Sequence, residues 1–463
     1  MLQSIFKTLS NCFKIPELKS RILFTIVVLA ICRIASLIPC PGLNGEVLRQ
    51  FLESSKASGS TAGGLVGMYS LFTGGGFERC AIGTLGIMPY ISATIVLQLL
   101  TAVVPFLSKK SREEGGRTWL IQAGRVLTVF LCLGQAIFMV VAWERAETVF
   151  PGLTQPLVTL HPIWWYRIQT TVILTTGTIL LMWLGEQITD RGIGNGISLI
   201  ITVGILARLP QAGQGLIDMF LTRDPTTGEH PFNLFHFIAL VLLLCGVVAG
   251  VVAVTQAERK IPVQYAQRMV GRKVFSGGSS FMPLRVNYAG VMPVIFASAI
   301  LMVPTLIFKN IGASWNIKFF TDLSIALARG SFVYLSLYGL MILFFSYFWV
   351  ATQFNELQIA DDMKKSGGYI PGVRPGQATS NFLHATMNRI TLAGAIFLTA
   401  IAVIPIILSE TMRIPQQVAQ FFGGTSLLIM VGVMLDTMRQ MESHLLMRHY
   451  DGFLKKGRIK GRF

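Results

Sequence analysis

The chain has 463 residues, 52% of them hydrophobic and only 13% charged, with a formal net charge of +17. That balance is too apolar for a string of soluble domains of this length and describes an integral membrane protein.

Runs of about 20 apolar residues, enough to cross roughly 30 Å of hydrocarbon, occur at ten places: 22–41, 80–105, 118–143, 168–185, 194–209, 233–255, 288–308, 331–353, 390–408 and 418–435. The first carries Arg33 and is followed by Pro39, Pro41 and Gly42 without a small-residue cleavage site, so it is expected to be a retained helix. With the N-terminus placed in the cytoplasm, 26 of the 39 Lys and Arg residues fall in loops assigned inside and 9 in loops assigned outside. This excess predicts that both termini are cytoplasmic and accounts for part of the net charge.

Between the first two runs, Met68 to Phe106 reads MYSLFTGGGFERCAIGTLGIMPYISATIVLQLLTAVVPF. A short apolar half-segment breaks at Gly74, Gly75 and Gly76 and passes Glu78 and Arg79 before a membrane-length run begins. Glycine costs helix stability, and non-helical backbone at membrane depth must be housed in protein or beside water, so this piece is expected to be re-entrant and to line a pore. Beyond the break Ile87 and Ile91 stand four apart, as do Ile197 and Ile201, and on helices each pair shares a face. Isoleucine in a span is ordinarily lipid-facing or core. Of the cations in apolar runs, Arg33 and Arg125 are expected to snorkel or to bond a helix-end carbonyl, whereas Arg79 stands where it could anchor the half-segment.

Two connecting segments are large and basic. Residues 256–287 interleave Arg259, Lys260, Arg268 and Arg272 with apolar residues, and the alternation IPVQYAQ predicts a short strand or hairpin, with GRKVFSGGSS supplying turn chemistry. Residues 354–389 hold Gly367, Gly368, Pro371, Gly372, Pro375 and Gly376 around Arg374, which predicts a tight folded loop. Charge that sets topology is sufficient for any single Lys or Arg, but two ordered basic protrusions also suit an acidic or phosphate-rich docking partner.

None of the ten apolar cores holds Asp or Glu, which counts against a proton- or ion-coupled carrier. There is no GxxxxGK[ST] and no HExxH, so neither nucleotide hydrolysis by a P-loop nor zinc proteolysis is expected, and no catalytic residue is assigned. The six cysteines show no CxxC pair and no His at ligand spacing; they are expected to pack as small hydrophobes, with no metal, disulfide framework or cofactor.

Five segments in order, GTLGIMPYISATIVLQLL (83–100), GEQITDRGIGNGISLII (185–201), NYAGVMPVIFAS (287–298), GVRPGQAT (372–379) and FGGTSLLIMVGVMLD (422–436), resemble the SecY family of protein translocation channels. The resemblance implies an all-α polytopic membrane protein with ten transmembrane helices in two inverted, pseudo-symmetric halves that open like a clam shell. It places an N-terminal half at 1–212, a C-terminal half at 213–440 and a basic cytoplasmic tail at 441–463. It implies a pore ring at Ile87, Ile91, Ile197, Ile201, Ile295 and Ile429, where stiff β-branched side chains make a dry constriction that ions cross poorly. It implies a plug over 68–79, a short helix including Tyr69, Leu71, Phe72, Gly74, Gly75, Gly76, Phe77 and Arg79. It further implies a lateral gate among the spans holding Ser92, Gln135 and Ser298, which can hydrogen-bond across a seam, and partner docking at Arg259, Lys260, Arg268, Arg272 and Arg374.

The implied function is passage of unfolded polypeptides across the bacterial inner membrane and lateral release of apolar segments into membrane lipids. The implied partners are SecE-like and SecG-like subunits, the SecA ATPase, the ribosome with its RNA phosphates, signal peptides and nascent chains. The alternative is a secondary transporter for a small solute. Deleting residues 70–78 separates the two: a channel is expected to leak ions in single-channel recordings, whereas unchanged, solute-coupled uptake supports the carrier.

Overall fold

The computed structural model describes residues 15–57, 70, 73–113, 115–146, 156–221, 234–265, 268–270, 273–275, 278–315, 318–328, 330–411, 418 and 425–456. The chain forms two compact units, Met1–Asp218 with Val433–Phe463, and Met219–Gly432. Helices dominate both, and the protein is an all-α polytopic membrane protein with two small sheets.

The first unit opens with α1 (Pro16–Ala35), whose proline at the start supplies a pre-set φ where no amide partner is needed. One stripe of α1, Leu18, Ile22, Thr25, Val28 and Cys32, is buried, while Leu23, Ile26, Val27, Ile31 and Ile34 are exposed, as suits a helix with protein on one side and lipid on the other. A short helix α2 (Gly45–Ala57) follows. The second apolar run, expected over 80–105, is helical only from α3 (Met88–Val103); turns occupy 73–80 and 82–87, with Ala81 in a bridge. Pro105 ends α3 by pushing Val104 into extended backbone, and α4 (Pro105–Arg112) leads to α5 (Gly116–Glu144). The long helix α6 (Ile163–Arg191) packs along α5, and α7 (Gly196–Leu206) and α8 (Leu209–Leu221) complete the run.

Helices α6 and α7 meet with almost no space between their backbones. A Cβ on Gly196 would lie 1.9 Å from the Gly185 carbonyl oxygen, and one on Gly177 would lie 2.4 Å from the carbonyl oxygen of Ile82. These glycines let the glycine-broken segment and α7 lie against α6. The surrounding core holds Leu48, Leu52, Phe77, Leu85, Trp143, Leu157, Tyr166 and Leu174, with Cys40, Cys80 and Cys132 packed among them as small hydrophobes.

The second unit contains α9 (Leu234–Gln256), β1 (Glu258–Tyr265), β2 (Arg268–Val270), β3 (Lys273–Phe275), β4 (Ser279–Arg285), α10 (Met292–Trp315), α11 (Lys318–Ala326), α12 (Phe332–Gln353), α13 (Glu356–Lys365), β5 (Gly368–Tyr369) and α14 (Gln377–Thr411). Helix α15 (Thr425–Lys456) begins in this unit and continues in the first. Ser331 caps α12 and Asn355 caps α13 by accepting backbone N–H bonds, which places the helix starts after short connections. The antiparallel sheet has strand order β4-β1-β5, with β2 and β3 as a separate hairpin. Its apolar face, Ile261 and Leu284, joins Val350, Phe354, Ile370, Leu383, Met387 and Ile390, so the sheet is rooted on α12 and α14.

Among the described residues, six helices are long and apolar enough to cross a membrane: Thr118–Glu144, Ile163–Arg191, Gly196–Ile217, His236–Gln256, Phe332–Lys365 and Gln377–Leu408. Of the ten expected runs, 80–105 corresponds to a shorter apolar helix preceded by turns, because Gly83 and Gly86 and the bridge at Ala81 hold its first third out of helical geometry. Gly196→Ala is expected to cost about 1–3 kcal/mol through overpacking and to lower the melting temperature of the purified protein. Gly213→Ala, where an added Cβ meets nothing within 4 Å, is expected to leave it unchanged or raise it.

Candidate functional site

The glycine-broken segment is held from three directions. Gly74 and Gly75 adopt φ of +62° and +86°, a region closed to most side chains, and turn the chain sharply. Pro39 pairs with Ala81 in an isolated bridge, within which the Cys40 N–H donates to the Cys80 carbonyl at 2.8 Å and the Ile82 N–H to the Ile38 carbonyl at 2.9 Å. The Thr84 hydroxyl, completely buried, donates to the carbonyls of Gly76 and Ala81. The Arg33 guanidinium donates to the Gly74 carbonyl. Of the two environments the sequence allows for this segment, protein or water, protein donors serve these backbone groups. Sequence reasoning also expected a short helix over 68–79; Ser70 is helical and Thr73–Cys80 forms successive turns, where the three glycines and the bridge favour turn geometry. Tyr69, Leu71 and Phe72 lie outside the described residues.

Four of the isoleucines sit in this first unit. Ile87 is the residue immediately before α3 and Ile91 stands one turn on, linked by the Ile91 N–H to the Ile87 carbonyl at 3.1 Å; both are buried. Ile197 and Ile201 occupy the first two turns of α7, whose start is fixed by the Asn195 side chain accepting from the N–H groups of Ile197 and Ser198 at 3.1 and 3.4 Å. Ile201 is buried and Ile197 half-buried. Ile87 and Ile201 line one small cavity of about 20 Å³ together with Thr73, Gly74, Gly204 and Arg33. The structure thus brings two of the expected ring residues and the glycine break to one place, with room for about one water. In the second unit Ile295 lies in the first turn of α10 and Ile429 near the start of α15, and both are buried.

Of the expected gate residues, Ser92 on α3 and Gln135 on α5 are half-buried on neighbouring helices. Ser298 on α10 is buried, and its hydroxyl donates to the Ile295 carbonyl in its own helix at 2.8 Å rather than across a seam, since a serine hydroxyl three residues along a helix reaches that carbonyl directly.

The basic protrusions are one object. Strand β1 alternates buried Ile261 and Val263 with exposed neighbours, and Arg259 and Lys260 at its start are exposed. Gln264 and Tyr265 register with Tyr369 and Gly368, so the segments 256–287 and 354–389 share a sheet, and the Tyr369 hydroxyl donates to Gln264 Oε1 at 3.0 Å. Arg374 is exposed in a turn bounded by Gly372 and Gly376, with the Thr379 hydroxyl donating to its carbonyl at 2.9 Å. Arg268 starts β2 opposite Phe275, and Arg272 lies outside the described residues.

Sequence reasoning missed several ion pairs. Arg125 binds Glu186 with two contacts of 3.0 and 2.9 Å, rather than a helix-end carbonyl, and Arg167 forks onto Glu144 at 2.8 Å. Both pairs join α5 to α6. Arg208, at the joint between α7 and α8, pairs with Glu78 at 2.9 Å. The available signal was a lone arginine closing an apolar run and a lone carboxylate in the broken segment, which composition alone does not connect.

The family model for SecY matches residues 81–438. The chain is 43% identical to the protein translocase subunit SecY of Chlamydia muridarum, over 98% of this chain and 99% of that protein. It is 40% identical to that of Thermotoga maritima over 99% and 100%, and 41% identical to that of Escherichia coli over 96% of each. The chain belongs to the SecY family. Solved structures agree on the fold: one described as a protein conducting channel covers 92% of each chain with a TM-score of 0.59 at 18% identity, and Sec61 in the canine ribosome-channel complex covers the same share with a TM-score of 0.54 at 18% identity.

The β4-β1-β5 sheet is directly testable. A Gln264→Cys, Tyr369→Cys pair is expected to form a disulfide on mild oxidation and to hold together, on a non-reducing gel, the two fragments cut between the loops. A Gln264→Cys, Pro371→Cys pair is expected to remain reduced, because antiparallel register places only the former pair within disulfide reach.

Proposed function

We propose that this protein is a protein-conducting channel that passes unfolded polypeptides across the membrane and releases apolar segments sideways into lipid. The observation that carries it is full-length likeness to translocase subunits at 40–43% identity, combined with a cavity where Ile87 and Ile201 meet the glycine break. It is not an enzyme. Directed movement must come from a partner, and the proposed drivers are the SecA ATPase and the translating ribosome, with SecE-like and SecG-like subunits as companions in the membrane.

In this reading ten transmembrane helices form two inverted halves, 1–212 and 213–440, and residues 441–463 form a basic tail. Both termini lie in the cytoplasm of a bacterial cell, and the span set belongs to its inner membrane. Ile87, Ile91, Ile197, Ile201, Ile295 and Ile429 form the waist. Apolar, branched side chains shed water from a narrow ring, so ions stay out while rotamer shifts fit the ring to whatever chain is threading. The lack of polar atoms also means no substrate side chain is trapped. Residues 68–79 cap the ring on its outer side when no chain is present, and burial of Gly74, Gly76 and Phe77 supports a segment that fills space.

The seam runs among the helices holding Ser92, Gln135 and Ser298. Interhelical hydrogen bonds in membranes are worth only about 1 kcal/mol, so a signal peptide burying its own apolar face in lipid and against the seam can open it. Arg259, Lys260, Arg268, Arg272 and Arg374 offer guanidinium and ammonium groups to acidic or phosphate-bearing partners, and the rooted sheet presents Arg259 and Lys260 at lower entropic cost than a loose loop would.

Photo-crosslinking from Ile87, Ile201 and Ile429 to a stalled secretory chain tests the waist. Adducts from all three positions, absent without substrate, are expected; adducts from none, with export intact, would remove the pore assignment.

A further inference from the structure

Neither Arg208 nor Glu78 has yet been given a role of its own. Arg208 occupies the two-residue joint between α7 and α8; its N–H donates to the Ile205 carbonyl at 3.1 Å and its carbonyl accepts from the Ala212 N–H at 3.0 Å, so its backbone is fixed. Its guanidinium reaches back over the glycine turn, pairing with Glu78 at 2.9 Å and donating to the Ser70 hydroxyl. Both charged side chains are nearly sealed from solvent, at 12% and 10% exposure, and Glu78 is the only buried acidic residue among the described residues. A Cβ placed on Gly75 would stand 3.6 Å from Arg208 Nη2, so the arginine lies directly over the turn. On the other side Arg33 holds the Gly74 carbonyl from α1. Arg33 stands near enough to Arg79 and Arg208 to be repelled by both, and the Glu78 carboxylate neutralises Arg208.

We infer that the Glu78–Arg208 pair is an electrostatic latch, with Arg208 the positioning residue that ties the glycine-broken segment to the α7–α8 joint and sets the threshold at which that segment leaves. The inference rests on the reading of 68–79 as a plug and deepens it by naming what holds the plug in place. The physics makes the latch two-state. In a dry interior the pair attracts strongly, and separating it there would part each charge from its counter-charge. Once water enters, the attraction falls several-fold as the dielectric rises, and both groups are solvated separately at little cost. Partial wetting of the site by an incoming chain therefore weakens the same contact that kept it closed. The hold of Arg33 on a backbone carbonyl carries no paired charge and acts as a hinge-side support, while Gly74 and Gly75 supply the rotation.

The test uses the complete channel complex in proteoliposomes without substrate, reading ion flux. Glu78→Gln and Arg208→Gln are each expected to raise basal flux at least tenfold. The charge-swapped pair Glu78→Arg, Arg208→Glu is expected to return it to within about threefold of the starting protein, a rescue that loss of packing alone would not give. If Glu78→Gln fails to accumulate, Glu78→Asp keeps the charge but draws it back by one methylene, and a severalfold rise is expected. Unchanged flux in Glu78→Gln or Glu78→Asp, or a swapped pair as leaky as the single variants, overturns the latch. Deletion of residues 70–78 separates this failure from that of the plug reading. A leaky deletion beside a silent Glu78→Gln removes the latch and leaves the plug, whereas a silent deletion removes both.

Discussion

Backbone N–H and C=O groups inside a bilayer must find partners within the protein, and the rest of this structure follows from how that requirement is met at one non-helical segment. Helices satisfy it by themselves; Thr73–Ile87 cannot. Its carbonyls and amides are met by a bridge to 38–40, by the Thr84 hydroxyl and by the Arg33 guanidinium. The bridge and Arg33 come from α1 and the residues just after it, Thr84 from the segment itself, and backbones approach closely beside it, Gly177 against Ile82 and Gly196 against Gly185. Small residues at those contacts are what allow an irregular segment to sit among spans.

The same requirement explains where charge is allowed. Arginines in or beside apolar runs do not point idly at lipid: Arg125 and Arg167 fork onto carboxylates of the adjacent helix, Arg33 takes a backbone carbonyl, and Arg208 takes Glu78. Fork geometry suits the guanidinium better than the ammonium, which is a physical reason for arginine at 125 and 167. Outside the spans the rule relaxes, and Arg259, Lys260 and Arg374 stand exposed on a sheet and turn whose apolar face is rooted in α12 and α14.

Much of the fold is legible in the residues because its main signals are local. Apolar length marks the spans, Asn195, Ser331 and Asn355 mark helix starts, the IPVQYAQ alternation marks β1, and the glycines at 74–76 mark the break. Less legible was the short helical extent of 80–105, because average hydropathy does not register that Gly83, Gly86 and a bridge at Ala81 hold the first third in turns. The hydroxyl of Ser298 donates to the Ile295 carbonyl within its own helix, a choice set by rotamer and neighbour rather than residue type.

By itself the sequence determined the membrane class, the positions of the apolar runs, the interrupted entry to the second of them, and a likeness to the SecY family strong enough to carry a function. Only the tertiary structure decided which distant residues become partners. Glu78 and Arg208 stand 130 positions apart, Gln264 and Tyr369 more than a hundred, and Arg33 reaches a carbonyl 41 residues away. Nothing in local propensity or hydropathy encodes such pairings; the strand pair follows from sheet register, and the two arginine contacts arise when helices pack closely enough that a buried charge or carbonyl must take the partner within reach.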